Sequence, residues 1–429
     1  MLLLTFALSG SLAAFGQAKI KPMDIKQRTL PNGLKVVSLQ DGSSPSVAIH
    51  VWYNVGGKND PEGRSGFAHM FEHMMFKSTK NMPNEKMDRL TEDVGGYNNA
   101  LTRGGFTNYY EVGPSKHLEG LLWAEAERMQ NLNVDETNFA SERDVVKEEF
   151  RQSVLANPYG RFYEFISSLS YQKHPYKRGV IGNLDELNAA TTKDANEFYK
   201  TFYRPDNAYL IVVGDFDQKQ FDAWTDKYFG SIKKPDSRIP RVTVTEPECI
   251  KERRYMETAP IVPFPAVAIV YLAPPSNSED IAALQLAELI LSGGESSRLY
   301  QEMVRNQQIA QEASFGLDAR VDKGLIYFLG IASEGHTSAE LEPVFLAELK
   351  KIQDAPVSAK ELEKAKNQLI TQTLFRREDN DGKAIAIERA VAYQGDPLAV
   401  NSEIQKLQAV TPADIQKVMK KYFTNDNRV

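Results

Sequence analysis

The sequence predicts an α+β protein of two homologous domains, each a mainly antiparallel β-sheet with helices packed on one face. Three observations carry this. Apolar strand-like runs are separated by stretches of helical periodicity, the pattern of a sheet with helices packed against it. The pattern occurs twice: Val47-Ala48-Ile49 opens one apolar run and Val267-Ala268-Ile269 opens another, an offset of 220 (267 against 47). The same offset returns near the end of each half, where Thr191, Asp194 and Asn207 match Thr411, Asp414 and Asn427.

Taken in order, residues 1–18 (MLLLTFALSGSLAAFGQA) read as a secretory signal peptide. Leu2 to Leu8 is mostly apolar, Ser9 to Ala14 is mostly small, and Gly16 and Ala18 suit the −3 and −1 positions of a cut after Ala18. Export, to the periplasm or beyond, is the expectation. Residues 19–240 form the first domain. Its strands are expected at 34–39, 47–55, 107–112 and 209–214, and its helices at 66–76, 86–94, 117–129, 138–155 and 193–202. Thr191 with Asp194, and Thr411 with Asp414, have the spacing of a helix N-cap, and Pro412 suits the first helical position. Between 231 and 265 stand Pro235, Pro240, Pro247, Pro260, Pro263 and Pro265, which favour an extended connection, placed at 241–257. Residues 258–429 form the second domain. The first copy runs from Asn207 into AYLIVVGDF, whereas the second reaches Val429 two residues after Asn427. The second sheet is therefore expected to be one strand short, by truncation or with its edge covered by a partner.

Composition narrows the chemistry. There are 51 Lys+Arg against 57 Asp+Glu, a formal charge of −6, so the bulk electrostatics of a nucleic-acid binder are missing. No stretch approaches the roughly 18 apolar residues of a membrane span. The single cysteine, Cys249, excludes an internal disulfide and every Cys-rich metal site. A metal here must take histidine and carboxylate ligands.

Those ligands are offered by GFAHMFEHMMF. His69 and His73 stand at i and i+4, on one helical face about a turn apart, where two imidazoles grip one zinc ion. Glu72 points to the same side and suits a general base beside a bound water. The pattern H-x-x-E-H is expected by chance on the order of 0.01 times in such a chain, so it is specific. Phe67, Met70, Phe71 and Met74 make the helix apolar nearly all round, and buried histidines need partners. For the third ligand, Glu142 and Glu149 in SERDVVKEEFRQ are two helical turns apart on a stripe with Val145 and Val146. That stripe turns Glu149 inward with Glu142 above it, while Glu148 is rotated about 100° away. A solvated acidic face is the alternative for this stripe.

His69-x-x-Glu72-His73 followed by Glu149 resembles the inverted-motif zinc peptidases of the pitrilysin and insulinase family, in the branch of mitochondrial processing peptidase. Gly95-Gly96-Tyr97-Asn98-Asn99-Ala100, His174-Pro175-Tyr176 and Tyr203-Arg204-Pro205-Asp206-Asn207 support the likeness, which runs from about Thr29 to about Asn427. The resemblance implies a zinc-dependent endopeptidase acting on short or unfolded peptides, with one Zn²⁺ per chain. His69, His73 and Glu149 would be the ligands, Glu72 the base that takes a proton from water, and Glu142 a carboxylate that orients ligand or water. It also places the substrate along a Gly-interrupted strand within 95–110, near Asn99 and Ala100; a hairpin rich in turn residues is the alternative for that stretch. The second copy has only His336, and its helix at 281–291 reads as plain core.

One departure matters. Single-chain relatives carry an Arg and a Tyr seven apart in the later half, which hold the substrate carbonyl. Arg305 occupies the Arg position, but the Tyr position falls at Gln311 or Glu312. Heterodimeric relatives divide these parts between two subunits. The resemblance therefore implies a zinc-bearing subunit that works with a homologous partner carrying the Arg/Tyr pair. The alternative is a non-catalytic scaffold or peptide-binding paralogue, against which the intact His69, Glu72, His73 and Glu149 argue.

Overall fold

The computed structural model describes residues 21–259 and 261–429, and the leader expected at 1–18 lies outside them. The first sheet has six strands: β1 (Lys26–Thr29), β2 (Lys35–Gln40), β3 (Ser46–Tyr53), β4 (Tyr97–Thr102), β5 (Thr107–Pro114) and β6 (Ala208–Gly214). Their order is β1-β2-β6-β3-β5-β4. Only β2 and β6 run parallel; the other neighbours are antiparallel. β4 is thus an edge strand, and among the described residues nothing pairs with its outer side. The stretch 95–110 is accordingly a hairpin and not one interrupted strand. Gly104 lies so close to the Tyr176 ring that a Cβ there would meet it at 2.7 Å, so the turn needs glycine at this point.

Between these strands run α1 (Phe67–Met74), α2 (Lys86–Glu92), α3 (Leu118–Asn131), α4 (Glu136–Phe150), α5 (Gly160–Ser170), α6 (Leu184–Ala189), α7 (Thr192–Phe202) and α8 (Gln218–Tyr228). α4 loosens into π-helical turns over Arg151–Ala156. The second half contains β7 (Ala266–Leu272), α9 (Ile281–Ser292), β8 (Ala310–Asp318), β9 (Leu325–Ala332), α10 (Ser338–Asp354), α11 (Ala359–Phe375), α12 (Asn380–Gln394), α13 (Glu403–Ala409) and α14 (Pro412–Tyr422). Its sheet order is β7-β9-β8, all antiparallel. Arg428 forms a bridge to Tyr271, and Val429 exchanges backbone hydrogen bonds with Val270, at the strand that corresponds to β3. Both halves show the capping spacing read from the sequence. Thr191 caps α7 with Asp194 reaching back, and Thr411 caps α14 with Asp414 doing the same.

β3 is buried along nearly its whole length, so both faces of the sheet must be covered. One face packs on the half's own helices: Val47, Ile49 and Val51 meet Phe71 of α1, Leu122 of α3 and Phe198 of α7. The other face, with Ala48, Trp52 and Val213, is covered by Ala384, Ile387 and Val391 of α12, a helix of the second half. α5 returns the arrangement, laying Ile166 beside Val270 and Leu325 of the second sheet. α5 begins at 160 and α12 at 380, the same offset of 220. Each half thus covers one face of its sheet with its own helices and the second face with one helix from its counterpart.

Candidate metal centre

α1 carries the H-x-x-E-H run, and its N-terminus is held by a loop rather than by a local cap. Gly66 stands in the left-handed region at φ +91°, and a Cβ there would meet the Ile181 carbonyl oxygen at 2.7 Å. Asp60, buried under this turn, accepts from the Gly66 N–H at 2.7 Å and the Ala68 N–H at 2.9 Å. Burial pushes the Asp60 carboxyl up to about 7, against the backbone N–H groups that favour its charge. The Ser65 N–H is taken by Glu186 at 2.6 Å.

On the face presented to α4, His69 and His73 stand with ring centroids 4.9 Å apart and planes at 80°. Glu149 Oε2 lies 3.6 Å from His69 Nε2 and 3.5 Å from His73 Nε2. The three ligand atoms fall within 4.8 Å of one another, and among the described residues this is the one place where three such side chains converge. The spacing is too long for ordinary hydrogen bonds. It suits the edges of a tetrahedron around one zinc ion, which are about 3.4 Å for bonds near 2.1 Å. The donor set, two imidazoles and a carboxylate, is also that of zinc sites with an open position.

Glu142 sits behind His73. Its Oε2 is 3.6 Å from His73 Nδ1, and its Oε1 takes Lys77 Nζ at 2.7 Å. Burial opposes the Glu142 charge, but His73 and Lys77 outweigh it and hold the carboxyl below its usual range. The imidazoles of His73 and His69 beside it likewise hold Glu149 low, against its burial. Burial works against charge on His73 too, yet the surrounding carboxylates raise it to about 9. His69, where burial dominates, is lowered. Glu72 is half-buried and close enough to act electrostatically on both histidines. The pocket carries a surplus of negative charge of the kind a dication neutralises.

The stripe on α4 has one adjustment. Val146 is buried beside the glutamates, but Val145 is 46% exposed and lies outside it. Glu148 points away and pairs with Arg151 at the surface. Asn99 and Ala100 lie on β4, which packs against α1; the Ala100 N–H is taken by Asn99 Oδ1 at 2.8 Å. Arg305 is exposed, on the π-helical stretch Tyr300–Asn306 of the second half. Sequence reasoning passed over Lys77 and Asp60. Lys77 had a signal, standing four residues after His73; Asp60 had none, because its N–H partners arrive through a loop.

Known proteins resemble this chain along most of its length. Residues 35–183 match the family model described as insulinase (peptidase family M16), and residues 189–369 match the one described as peptidase M16 inactive domain. The zinc protease PqqE of Helicobacter pylori is 32% identical over 79% of this chain and 77% of its own. The crystal structure of a protease from Helicobacter pylori superposes with a TM-score of 0.90 at 29% identity, covering 95% of this chain and 98% of that one. The periplasmic protease PqqL of Escherichia coli shares the fold with a TM-score of 0.77 at 19% identity, covering 95% of this chain but 47% of PqqL. Among the described residues no helix is long and apolar enough to cross a membrane. With a peptidase family spanning both halves and a zinc protease among its relatives, this chain belongs to the insulinase family of peptidases, family M16.

Proposed function

We propose that the chain is a zinc-dependent endopeptidase of short or unfolded peptides, with its catalytic residues in 19–240. The observation that carries this is the convergence of His69, His73 and Glu149 beside Glu72. Zinc held there supplies a Lewis acid and a water acidified toward neutral pH. Glu72 holds the proton taken from the attacking water and passes it to the leaving amine. Glu142 orients His73 through Nδ1, leaving Nε2 for the metal, and Lys77 offsets its charge. The open edge of β4 at Asn99 and Ala100 binds the peptide backbone by strand addition, which reads backbone more than side chains.

The proposal includes a partner and a compartment. No tyrosine occurs between Ile309 and Leu325, and Arg305 is exposed, so a donor for the developing oxyanion is assigned to a homologous Arg/Tyr-bearing subunit. The chain spans 47% of PqqL, in keeping with half of a larger working unit. The likeness to a periplasmic protease and the leader-like composition of residues 1–18 support this reading of export.

Glu72→Gln tests the mechanism. The variant is expected to keep one zinc per chain and to lose peptide hydrolysis, assayed with the homologous subunit present. Full hydrolysis by the variant refutes the role of Glu72, and wild-type hydrolysis that survives chelation refutes the metal.

A further inference from the structure

The two halves meet at the edge strand through one carboxylate. Tyr97, the first residue of β4, donates from its phenol to Asp381 Oδ2 at 3.0 Å. Asp381 is the second residue of α12 and belongs to the other half. Its second oxygen, Oδ1, lies 3.1 Å from His50 Nε2, and Glu388 Oε2 on the same helix lies 2.9 Å from His50 Nδ1. His50 is fully buried in the middle of β3, its ring stacked on Tyr110 of β5 at 5.3 Å. The linkage thus runs from the sheet centre, through α12, to the start of the open edge. A carboxylate suits this place, because one oxygen faces the imidazole and the other the phenol. Burial works against charge on Asp381, but His50 and Tyr97 outweigh it, so the carboxyl stays below its usual range.

The rest of β4 is held from the opposite side. Asn98 donates to Thr91 Oγ1 at 2.6 Å, and Ala100 joins the core that contains α1. Tyr97 is 49% exposed and follows the Gly95-Gly96 turn, where Gly95 has φ +81°. Half of its side chain is in solvent, and its one side-chain hydrogen bond among the described residues goes to Asp381. An edge strand that is loose at its start must be ordered when a peptide pairs with it, and that cost appears as weaker binding.

We propose that Asp381 is a positioning residue for peptide binding: by holding Tyr97 it fixes the open edge of β4. The second half, which supplies no metal ligand, thereby sets the affinity of the first half for a peptide backbone. This rests on β4 being the peptide-binding edge, as proposed above.

The test uses Tyr97→Phe, which removes one hydroxyl and leaves the His50–Asp381 contact in place, together with Asp381→Ala and Asp381→Asn. With an unstructured peptide as substrate, Tyr97→Phe is expected to raise KM about fivefold, the size of one lost hydrogen bond, with kcat within about twofold. Asp381→Asn keeps an acceptor and is expected to retain more affinity than Asp381→Ala. Amide hydrogen exchange is expected to quicken in β4 and to stay unchanged in β2 and β3 of Tyr97→Phe. An unchanged KM in Tyr97→Phe overturns the proposal, even if exchange quickens, and so does a fall confined to kcat. Binding of the same labelled peptide, followed by anisotropy in a Glu72→Gln background, separates this from the parent reading. Binding that weakens on Tyr97→Phe without any wild-type cleavage strikes the endopeptidase reading alone, whereas binding that Tyr97→Phe does not weaken strikes the positioning role.

Discussion

Glu142 Oε2 stands 3.6 Å from His73 Nδ1, on the side of the ring away from Glu149. In the proposed site that relationship would leave Nε2 of His73 for the metal and give Nδ1 to a carboxylate that sets the tautomer. Glu142→Gln is therefore expected to weaken zinc binding about 10–100-fold while leaving the fold intact. Competition with a chelator of known zinc affinity measures it, and an unchanged affinity removes Glu142 from the site.

Asp60 controls where α1 begins. Asp60→Ala leaves the Gly66 and Ala68 N–H groups buried without an acceptor, at a cost of about 1–3 kcal/mol. Thermal unfolding should report a lower midpoint, and zinc affinity should fall with it because His69 follows directly on Ala68. A variant with wild-type stability and zinc binding removes that role from Asp60.

Gly66→Ala adds strain at the same place, since its Cβ meets the Ile181 carbonyl in a backbone region disfavoured for side chains. It should destabilise by at least about 1 kcal/mol, in contrast to Gly63→Ala, where a Cβ meets nothing within 4 Å although φ is also positive. The comparison isolates the contact from the backbone preference. Equal losses in the two variants exclude the contact as the cause.

His50 makes the docking of α12 pH-dependent. It is faced by Asp381 and Glu388 from α12, by Asn108 and Tyr110 from β5, and through Asp381 by Tyr97. Burial opposes its charge, but the two carboxylates raise it to about 9. A raised folded-state value stabilises fully below the ordinary 6.5 and is lost as pH rises through about 9. The linkage is on the order of 3 kcal/mol. Asp381 is held low, so its own contribution is present above the ordinary carboxylate range and fades on acidification. Denaturant unfolding between pH 6 and pH 10 should show the loss, and Glu388→Gln should flatten it. A profile identical in wild type and Glu388→Gln excludes His50 as its source.

Removing zinc should lower stability by the linkage between binding and folding, RT ln(1 + [Zn]/Kd), about 2.7 kcal/mol when zinc exceeds Kd a hundredfold. Thermal scans with and without chelator measure this. Because the proposed ligands come from α1 and α4, the shift should vanish in Glu149→Gln.

The sequence by itself determined what depends on short-range periodicity. The i, i+4 spacing of His69 and His73, the seven-residue spacing of Glu142 and Glu149, and the Thr191/Asp194 and Thr411/Asp414 caps are all properties of single helices. So is the doubling at an offset of 220, because a repeat is visible as pattern alone. Only the tertiary structure decided which helix covers which sheet face, that 95–110 folds back as a hairpin with β4 outermost, and that Asp60 meets the start of α1, Lys77 meets Glu142 and Asp381 meets Tyr97. The physical reason is that these depend on burying apolar area and pairing charges between segments far apart in the chain. His50 and Asp381 meet across 331 residues, and no local rule of spacing reaches that distance.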